Sequence, residues 1–232
     1  MTIETSYADR REHARAMDRI YRWQRHIYDA TRKYYLIGRD GMIDGLDARP
    51  GMSVLELGCG TGRNMVVAAR RHPGARFYGV DISAQMLTSA VRSAGRAGLA
   101  DRIATAPGDA ETIDAAKRFD VAGFDRVMLP YCLSMIPGWR RAIANAIAQT
   151  APGGSVHIVD FGHMGRWPDL ARKLMRLWLA RFRVEPRRDL VGTVERVAAE
   201  HGCRARARCI LGGYAWAIVV EKPGDEGRGT EP

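Results

Sequence analysis

Three alternating glycines, together with two acidic residues, form the part of this sequence with the most specific chemistry. The segment SVLELGCGTGRN places Gly58, Gly60 and Gly62 after a short apolar run that contains Glu56. Asp81 ends the segment RFYGVD, about 20 residues further on, which is the spacing of an acid that binds the ribose of a nucleotide. Because glycines let a ligand approach the main chain closely, the pattern predicts an adenosine-containing ligand.

The acid that precedes the glycines distinguishes between classes of nucleotide. The spacing Gly-x-Gly-x-Gly differs from the Gly-x-Gly-x-x-Gly of pyrophosphate-binding proteins, and no Gly-Lys-Ser/Thr follows it as in a P-loop. Glu56 would repel a pyrophosphate, whereas it would favour the amine and sulfonium of S-adenosyl-L-methionine (SAM). The sequence therefore favours SAM over NAD. In the alternative interpretation, the glycines form only a tight turn and Asp81 caps a helix.

Strand-like and helix-like segments alternate around this motif. The strand-like runs are SVLEL, RFYGV, RIATA, FDRVML and SVHIVDF, and the helix-like segments are RNMVVAARR, SAQMLTSAVRSAG and RRAIANAIAQT. This alternation predicts an α/β fold with a parallel sheet. Two further runs, RARARCIL and YAWAIVVEK, are joined only by Gly212 and Gly213, which predicts an antiparallel hairpin at one edge.

A seven-stranded sheet with one antiparallel edge strand resembles the Rossmann-like fold of class I SAM-dependent methyltransferases. The resemblance implies that Ile82 packs on adenine, that Asp109 in GDAE accepts a hydrogen bond from its exocyclic amine, and that Leu129 to Tyr131 border the methionine moiety. The cofactor-binding residues that we expect are Arg39, Glu56, Gly58, Cys59, Gly60, Gly62, Asp81, Ile82, Asp109, Ala110 and Leu129.

The length and composition predict one domain. A chain of 232 residues with 46% hydrophobic content can build one sizeable core, which we expect over residues 1–222. Residues 1–40 are expected to form a helical lid, residues 164–188 a basic insert, and residues 223–232 a disordered tail. Four cysteines without Cys-x-x-Cys spacing and six histidines without paired spacing indicate neither disulfides nor a metal. Without a signal peptide or a membrane-length apolar run, the protein is expected to be cytoplasmic.

The N-terminal segment YRWQRHIYDATRKYYLIGRD narrows the resemblance to one group of methyltransferases. Together with VLELGCGTGRN and GVDISAQML, it is similar to the betaine-lipid N-methyltransferases, which convert diacylglyceryl-homoserine to its trimethylated form. Tyr21, Tyr28 and Tyr35 are spaced by seven and would form one stripe on a helix. The stripe is either core packing or a lid whose rings surround a methylated ammonium by cation–π attraction. The second interpretation makes Tyr21 and Tyr28 catalytic-site residues together with Tyr131.

Transfer to an amine requires no dedicated base. An α-amino group with a pKa of about 7.7 to 8.0 is partly neutral near pH 7, and a desolvated pocket lowers that pKa further. Tyr131 or His163, each near a strand end, could receive the proton, although His163 also fits a structural loop position. Arg39 could reach the SAM carboxylate or the headgroup of the substrate, or it could be an ordinary exposed arginine.

The insert is predicted to contain an amphipathic helix, LARKLMRLWLARFR. Its basic residues Arg172, Lys173, Arg176 and Arg183 lie on one side, and Arg181 is the exception. On the other side the helix carries Leu170, Leu174, Met175, Leu177, Trp178, Leu179 and Phe182. Such a helix is either interfacial at a membrane or packed on the sheet. With a formal charge of +10, the first interpretation predicts peripheral association with the anionic inner face of the cytoplasmic membrane.

Three other functions compete with methylation of a homoserine lipid. A phosphatidylethanolamine N-methyltransferase would need the same lid and the same basic helix. An RNA methyltransferase would explain the positive charge by phosphate contacts, but the sequence has no recognisable RNA-binding module and no Asn/Asp-Pro-Pro-aromatic motif after the fourth strand. A non-enzymatic SAM-binding subunit is the third alternative. We therefore expect an amine-headgroup lipid as substrate and no nucleic acid as partner.

Overall fold

A single twisted sheet organises the part of the chain that the structure describes, which comprises residues 36–181 and 184–224 of a computed structural model. Its strands follow the order β3-β2-β1-β4-β5-β7-β6. Strand β7 runs antiparallel to both of its neighbours, and the other adjacent pairs are parallel. The strands are β1 (Ser53–Leu57), β2 (Arg76–Asp81), β3 (Ile103–Pro107), β4 (Phe124–Pro130), β5 (Thr150–Phe161), β6 (Arg204–Ile210) and β7 (Ala215–Glu221).

Helices cover both faces of this sheet. They are α1 (Arg39–Asp44), α2 (Arg63–Arg71), α3 (Ala84–Arg96), α4 (Ala115–Phe119), α5 (Trp139–Gln149), α6 (Asp169–Ala180) and α7 (Leu190–Glu200). Buried residues of α1, α2, α3 and α6 share one apolar cluster, and those of α4, α5 and α7 share a second. The central strands are therefore buried on both faces, which explains their nearly continuous apolar sequences.

A glycine and a serine mark the starts of the two helices that follow β1 and β2. Gly62 precedes α2 with a positive φ of 74°, and the side chain of Ser83 caps α3 by accepting a hydrogen bond from the backbone N–H of Met86 at 3.3 Å. Each helix follows directly from the carboxyl end of a strand. This arrangement aligns the turns after β1 and β2 at one edge of the sheet.

The predicted α/β fold, with seven strands and an antiparallel pair at one edge, is confirmed. Strand β6 forms the edge itself, and antiparallel β7 lies between it and β5. Helix α7, which the sequence analysis did not anticipate, packs Leu190 and Val194 into the second cluster. Three parts of the predictions lie outside the described residues: residues 1–35 of the predicted lid, with Tyr21 and Tyr28; Phe182 and Arg183 in the insert; and most of the predicted tail.

Helix α6 forms inside the predicted insert, but its apolar side is divided. Leu179 is fully buried, and Met175 and Trp178 pack against the first cluster. Leu174, one helical turn before Trp178, is 59% exposed. The expectation that all of these side chains share one membrane-facing surface is therefore corrected, because half of the apolar side stabilises the protein core. Across the described residues, each helix is too short or too polar to cross a membrane.

Candidate functional site

A cavity lies at the carboxyl ends of β1 and β4. The strand order reverses between these two strands, and ligands of open α/β sheets usually bind in the crevice at such a point. Its lining includes Gly58 and Cys59 from the turn after β1, Pro130 at the end of β4, and Arg39 from the start of α1. Leu36, Thr61, Arg63 and Asn64 complete the lining. The cavity therefore brings together three residues that the sequence assigned to the cofactor.

The glycine turn is held tightly against its neighbours. The backbone N–H groups of Gly58 and Cys59 both donate to the carbonyl of Val80, at 2.8 and 2.9 Å. A Cβ atom added to Gly62 would lie 2.9 Å from the Cβ of Ala90, and Gly62 also has a positive φ. A larger residue at Gly62 would thus push α3 away from the turn, which explains why glycine stands there.

Asp81 connects the glycine turn to the second strand. One carboxylate oxygen accepts a hydrogen bond from the backbone N–H of Gly60 at 2.8 Å, and the other accepts one from the N–H of Ser83 at 2.9 Å. A carboxylate offers about four acceptor positions, so Asp81 can combine this structural role with ligand binding. Its half-buried position beside Gly60 fits the predicted contact with ribose hydroxyls.

Glu56 and Arg39 supply opposite charges near the same cavity. The carboxylate of Glu56 is fully buried, and Asn64, which lines the cavity, donates a hydrogen bond to it at 2.7 Å. Arg39 is 5% exposed, so it is not the ordinary surface arginine of the alternative interpretation. A buried acid and a buried arginine near the same glycine turn fit the amino-acid part of SAM, which carries a cationic amine and a carboxylate.

Cys59 is a packing residue of this cavity. Burial raises the pKa of its thiol well above the usual value, and the nearby charges of Asp81 and Glu56 raise it further. The thiol therefore stays protonated and has little nucleophilic character.

The residues expected at adenine follow β2 and β3, which lie side by side. The backbone N–H of Gly108 donates to the carbonyl of Asp81 at 3.1 Å, so the GDAE turn adjoins the ribose-binding position. Asp109 accepts a hydrogen bond from the backbone N–H of Glu111 at 2.9 Å. Ala110 is buried, and Ile82 is half-buried at the end of β2. The structure thus brings these three residues to the same edge as the glycine turn.

Tyr131 has a positioning role in the structure. Its hydroxyl donates a hydrogen bond to the carbonyl of Ile37, two residues before Arg39, and its backbone N–H donates to Val159 at 2.7 Å. Burial raises the pKa of the phenol, and the charge of Asp160 adds to that increase. A phenol held in this way is a poor proton acceptor, so the geometry favours a role in fixing the segment that carries Arg39.

Two other residues of the predicted site take different positions. Leu129 is fully buried in the second cluster, whereas Pro130, which also belongs to the expected segment Leu129 to Tyr131, lines the cavity, because successive residues of a strand point to opposite faces. His163 is exposed in the segment after β5.

Asn64 is a site residue that the sequence analysis did not identify, and Asp160 is a buried acid that it did not single out. Asp160 is buried at the end of β5 and accepts hydrogen bonds from the backbone N–H groups of Ser134 at 3.1 Å and Phe161 at 2.8 Å. Burial raises the pKa of Asp160 to about 6. An acid within the apolar run SVHIVDF was the available signal. For Asn64, its place in the first turn after the glycines was the only indication.

Comparisons with known proteins agree with this geometry. Residues 54–154 match the family described as "Methyltransferase domain", a segment that runs from β1 into β5. The chain is 28% identical over 126 residues to the ubiquinone/menaquinone biosynthesis C-methyltransferase UbiE of Cereibacter sphaeroides, which covers 54% of this chain and 49% of that relative. The chain spans about half or less of the length of the curated relatives that it matches first.

Solved structures share the fold at low sequence identity. An O-methyltransferase family protein from Burkholderia thailandensis superposes with a TM-score of 0.65 at 20% identity, over 85% of this chain and 60% of that one. Phosphoethanolamine N-methyltransferase 2 of Haemonchus contortus, in complex with SAM, superposes with a TM-score of 0.62 at 16% identity, over 80% of this chain and 52% of that one. The sheet is therefore that of class I methyltransferases, and the family match supports SAM as the cofactor.

Proposed function

We propose that the protein is a SAM-dependent N-methyltransferase that makes three successive methyl transfers to the amino group of diacylglyceryl-homoserine, forming the betaine lipid diacylglyceryl-N,N,N-trimethylhomoserine. The observation that carries the SAM part is the buried carboxylate of Glu56 beside the glycine turn, with Asn64 bonded to it at 2.7 Å. A negative charge at this position favours a cationic ligand over a pyrophosphate. The family match over residues 54–154 supports the same chemistry.

The residues of the site have distinct tasks in such a transfer. Bound SAM supplies a methyl group activated by a positive sulfur. Asp81 would hold the ribose, and Arg39 and Glu56 would fix the carboxylate and amine of the methionine moiety. Tyr131 keeps the segment that bears Arg39 in place. Precise alignment of acceptor and methyl group lowers the barrier without a further catalytic group.

The acceptor amine must be neutral to react. The buried Pro130 and Leu36 make part of the cavity lining apolar, which disfavours the ammonium form and lowers the pKa of an amine that enters there. The neutral nitrogen would take the methyl group that SAM supplies, leaving its electron pair on the sulfur, and the new ammonium would release a proton to solvent before the next round. The reaction stops after three transfers because a quaternary nitrogen has no lone pair.

The choice of a homoserine lipid rests on the sequence. The resemblance of YRWQRHIYDATRKYYLIGRD to betaine-lipid N-methyltransferases supports it, and the formal charge of +10 supports work at an anionic membrane, which we place at the cytoplasmic face. Phosphatidylethanolamine is the alternative acceptor, because its amine and its two acyl chains present the same chemistry. An RNA acceptor is less favoured because the basic residues of α6 alternate with exposed leucines.

The test presents each acceptor to the purified full-length chain with isotope-labelled SAM. Diacylglyceryl-homoserine and phosphatidylethanolamine are offered separately in mixed micelles, and an RNA pool is offered in buffer. We expect mass shifts of one, two and three methyl groups on the homoserine lipid. Labelling of phosphatidylethanolamine alone would reassign the acceptor, and labelling of RNA alone would overturn the lipid assignment. SAM binding without turnover on any acceptor would favour a non-enzymatic subunit.

A further inference from the structure

Four exposed leucines lie on α6 and on the connection that adjoins its start. Leu170, Leu174 and Leu177 are 70%, 59% and 59% exposed on one side of α6. Leu211, which is 58% exposed, lies in the connection between β6 and β7. That connection is bonded to the turn before α6, because the indole N–H of Trp167 donates to the carbonyl of Leu211 at 2.9 Å. We call these four residues the leucine face.

The leucine face is not needed to attach α6 to the protein. Leu179 is fully buried, and Met175 and Trp178 pack against the core from the adjoining side of the helix. Leu170, Leu174 and Leu177 follow the i, i+4, i+7 spacing of a second apolar stripe. Single exposed leucines are common on protein surfaces, but a contiguous group usually marks an interaction site.

Exposed basic side chains lie on and directly after the same helix as these leucines. Lys173 and Arg176 are exposed on α6, and Arg181 is exposed directly after it. None of the three forms an ion pair with any other residue in ranges 36–181 and 184–224. Asp169, at the start of the helix, is paired with Arg172 at 2.5 Å. The exposed surface of α6 therefore combines apolar groups with uncompensated positive charge.

The leucine face lies at the same end of the molecule as the candidate site. Tyr131 contacts Phe161 with ring centroids 4.6 Å apart, and Phe161 contacts Tyr214 at 5.8 Å. Tyr214 in turn stacks on Trp167 at 5.6 Å. These four rings form a continuous path from the end of β4, where the cavity lies, to the residue that is bonded to Leu211.

We propose that the leucine face and its basic neighbours form the surface by which the protein lies on an anionic phospholipid bilayer. The leucines would enter the boundary between headgroups and acyl chains, and Lys173, Arg176 and Arg181 would contact the phosphates. A helix with apolar and basic groups on its outer side has the composition of an interfacial helix. The proposal deepens the proposed function, on which its biological meaning rests, because it places the cavity beside the lipids that carry the acceptor.

Charge complementarity favours a bilayer over two other occupants. A second copy of the chain docked symmetrically through this face would bring basic residues against basic residues, which is unfavourable. A nucleic acid would satisfy the basic groups but would leave the leucines without apolar contacts.

Cosedimentation with vesicles tests the proposal without any substrate or turnover. The full-length protein is mixed with vesicles of phosphatidylcholine, with or without phosphatidylglycerol. We expect strong binding only when phosphatidylglycerol is present, with partial release by salt because screening weakens the electrostatic contribution alone. The variant with Leu174→Glu and Leu177→Glu should lose binding. Val91→Glu is the matched control, because Val91 is 60% exposed on α3, outside the leucine face, and this variant should bind as the parent does.

A charge variant separates the two contributions. Lys173→Gln with Arg176→Gln should weaken binding to phosphatidylglycerol vesicles roughly 25-fold, since each basic residue near an anionic surface contributes about fivefold. Circular dichroism and SAM binding should be unchanged in both double variants, which separates a failed membrane surface from a failed methyltransferase site.

The proposal is overturned if the leucine variant and Val91→Glu bind vesicles equally, or if the parent does not bind phosphatidylglycerol vesicles. It is also overturned if the parent is a dimer that the leucine variant makes monomeric while vesicle binding is unaffected, since a second copy would then be the occupant.

Discussion

The carboxylate of Asp81 accepts a hydrogen bond from the backbone N–H of Gly60 at 2.8 Å, and this bond joins the turn after β1 to the end of β2. One acidic side chain thus sets the position of the glycine turn and also lies where a nucleoside ribose is expected.

Asp81→Ala should weaken SAM binding by about 1.5 to 3 kcal/mol, which is the usual contribution of a hydrogen bond to a charged group and corresponds to a change in Kd of roughly 10- to 150-fold. Isothermal calorimetry measures this directly. Asp101→Ala, which removes an exposed carboxylate before β3, serves as the control and should bind as the parent does. Unchanged affinity in a folded Asp81→Ala protein would contradict the ribose assignment.

Tyr131→Phe removes the hydrogen bond to Ile37 but keeps the buried ring. We expect the free energy of unfolding to fall by about 1 kcal/mol and the rate to fall with it, while the shape of the pH–rate profile stays the same. The profile keeps its shape because the raised pKa keeps the phenol protonated, and a group that does not titrate produces no rise or fall in the rate with pH. Tyr78→Phe, on β2 and packed against Phe119, is the control. A shifted limb in Tyr131→Phe would restore Tyr131 as the proton acceptor.

Tyr28→Ala distinguishes an aromatic cage from core packing in the N-terminal stripe predicted from the sequence. A cage would hold the protonated, partly methylated lipid by cation–π attraction between transfers. Its loss should raise the ratio of mono- and dimethylated to trimethylated lipid at matched total turnover, measured by mass spectrometry. Tyr28→Phe keeps the ring and should leave the ratio unchanged. If Tyr28→Ala lowers stability without changing the ratio, the stripe is core.

His157 makes stability depend on pH. It is 5% exposed in β5, and burial together with the charge of Arg126 lowers its pKa from 6.5 to about 4. Between these two values the unfolded chain binds more protons than the folded protein, so His157 removes stability as pH falls through that range, by at most about 3 kcal/mol. Asp160 acts in the opposite direction, since its pKa is raised from 3.8 to about 6 and the folded protein binds the extra proton.

A comparison of variants isolates the histidine contribution. His157→Gln cannot titrate, so the unfolding free energy of the parent should fall relative to this variant as pH decreases from about 7 to about 4. Urea unfolding at several pH values measures the difference, and His163→Gln provides a control at an exposed histidine. A constant difference between parent and His157→Gln across this range would show that His157 does not have a depressed pKa in the folded protein.

The sequence alone determined the fold and the position of the glycine turn. The strand-like runs and the order of helices between them predicted the sheet, because period and turn residues are local properties of the chain. The sequence also predicted where an adenosine-containing ligand binds, from the alternating glycines, Glu56 and Asp81. These residues follow strands or end them, and the carboxyl ends of parallel strands meet at one edge of the sheet.

Only the tertiary structure decided which side of each element meets a neighbour. Helical periodicity identified the apolar residues of α6, but contacts with the first cluster decided that Trp178 packs inward while Leu174 faces outward. In the same way, the burial of Arg39 and the bond from Tyr131 to Ile37 depend on segments far apart in the chain. Such contacts arise when distant elements pack together, so no local pattern encodes them.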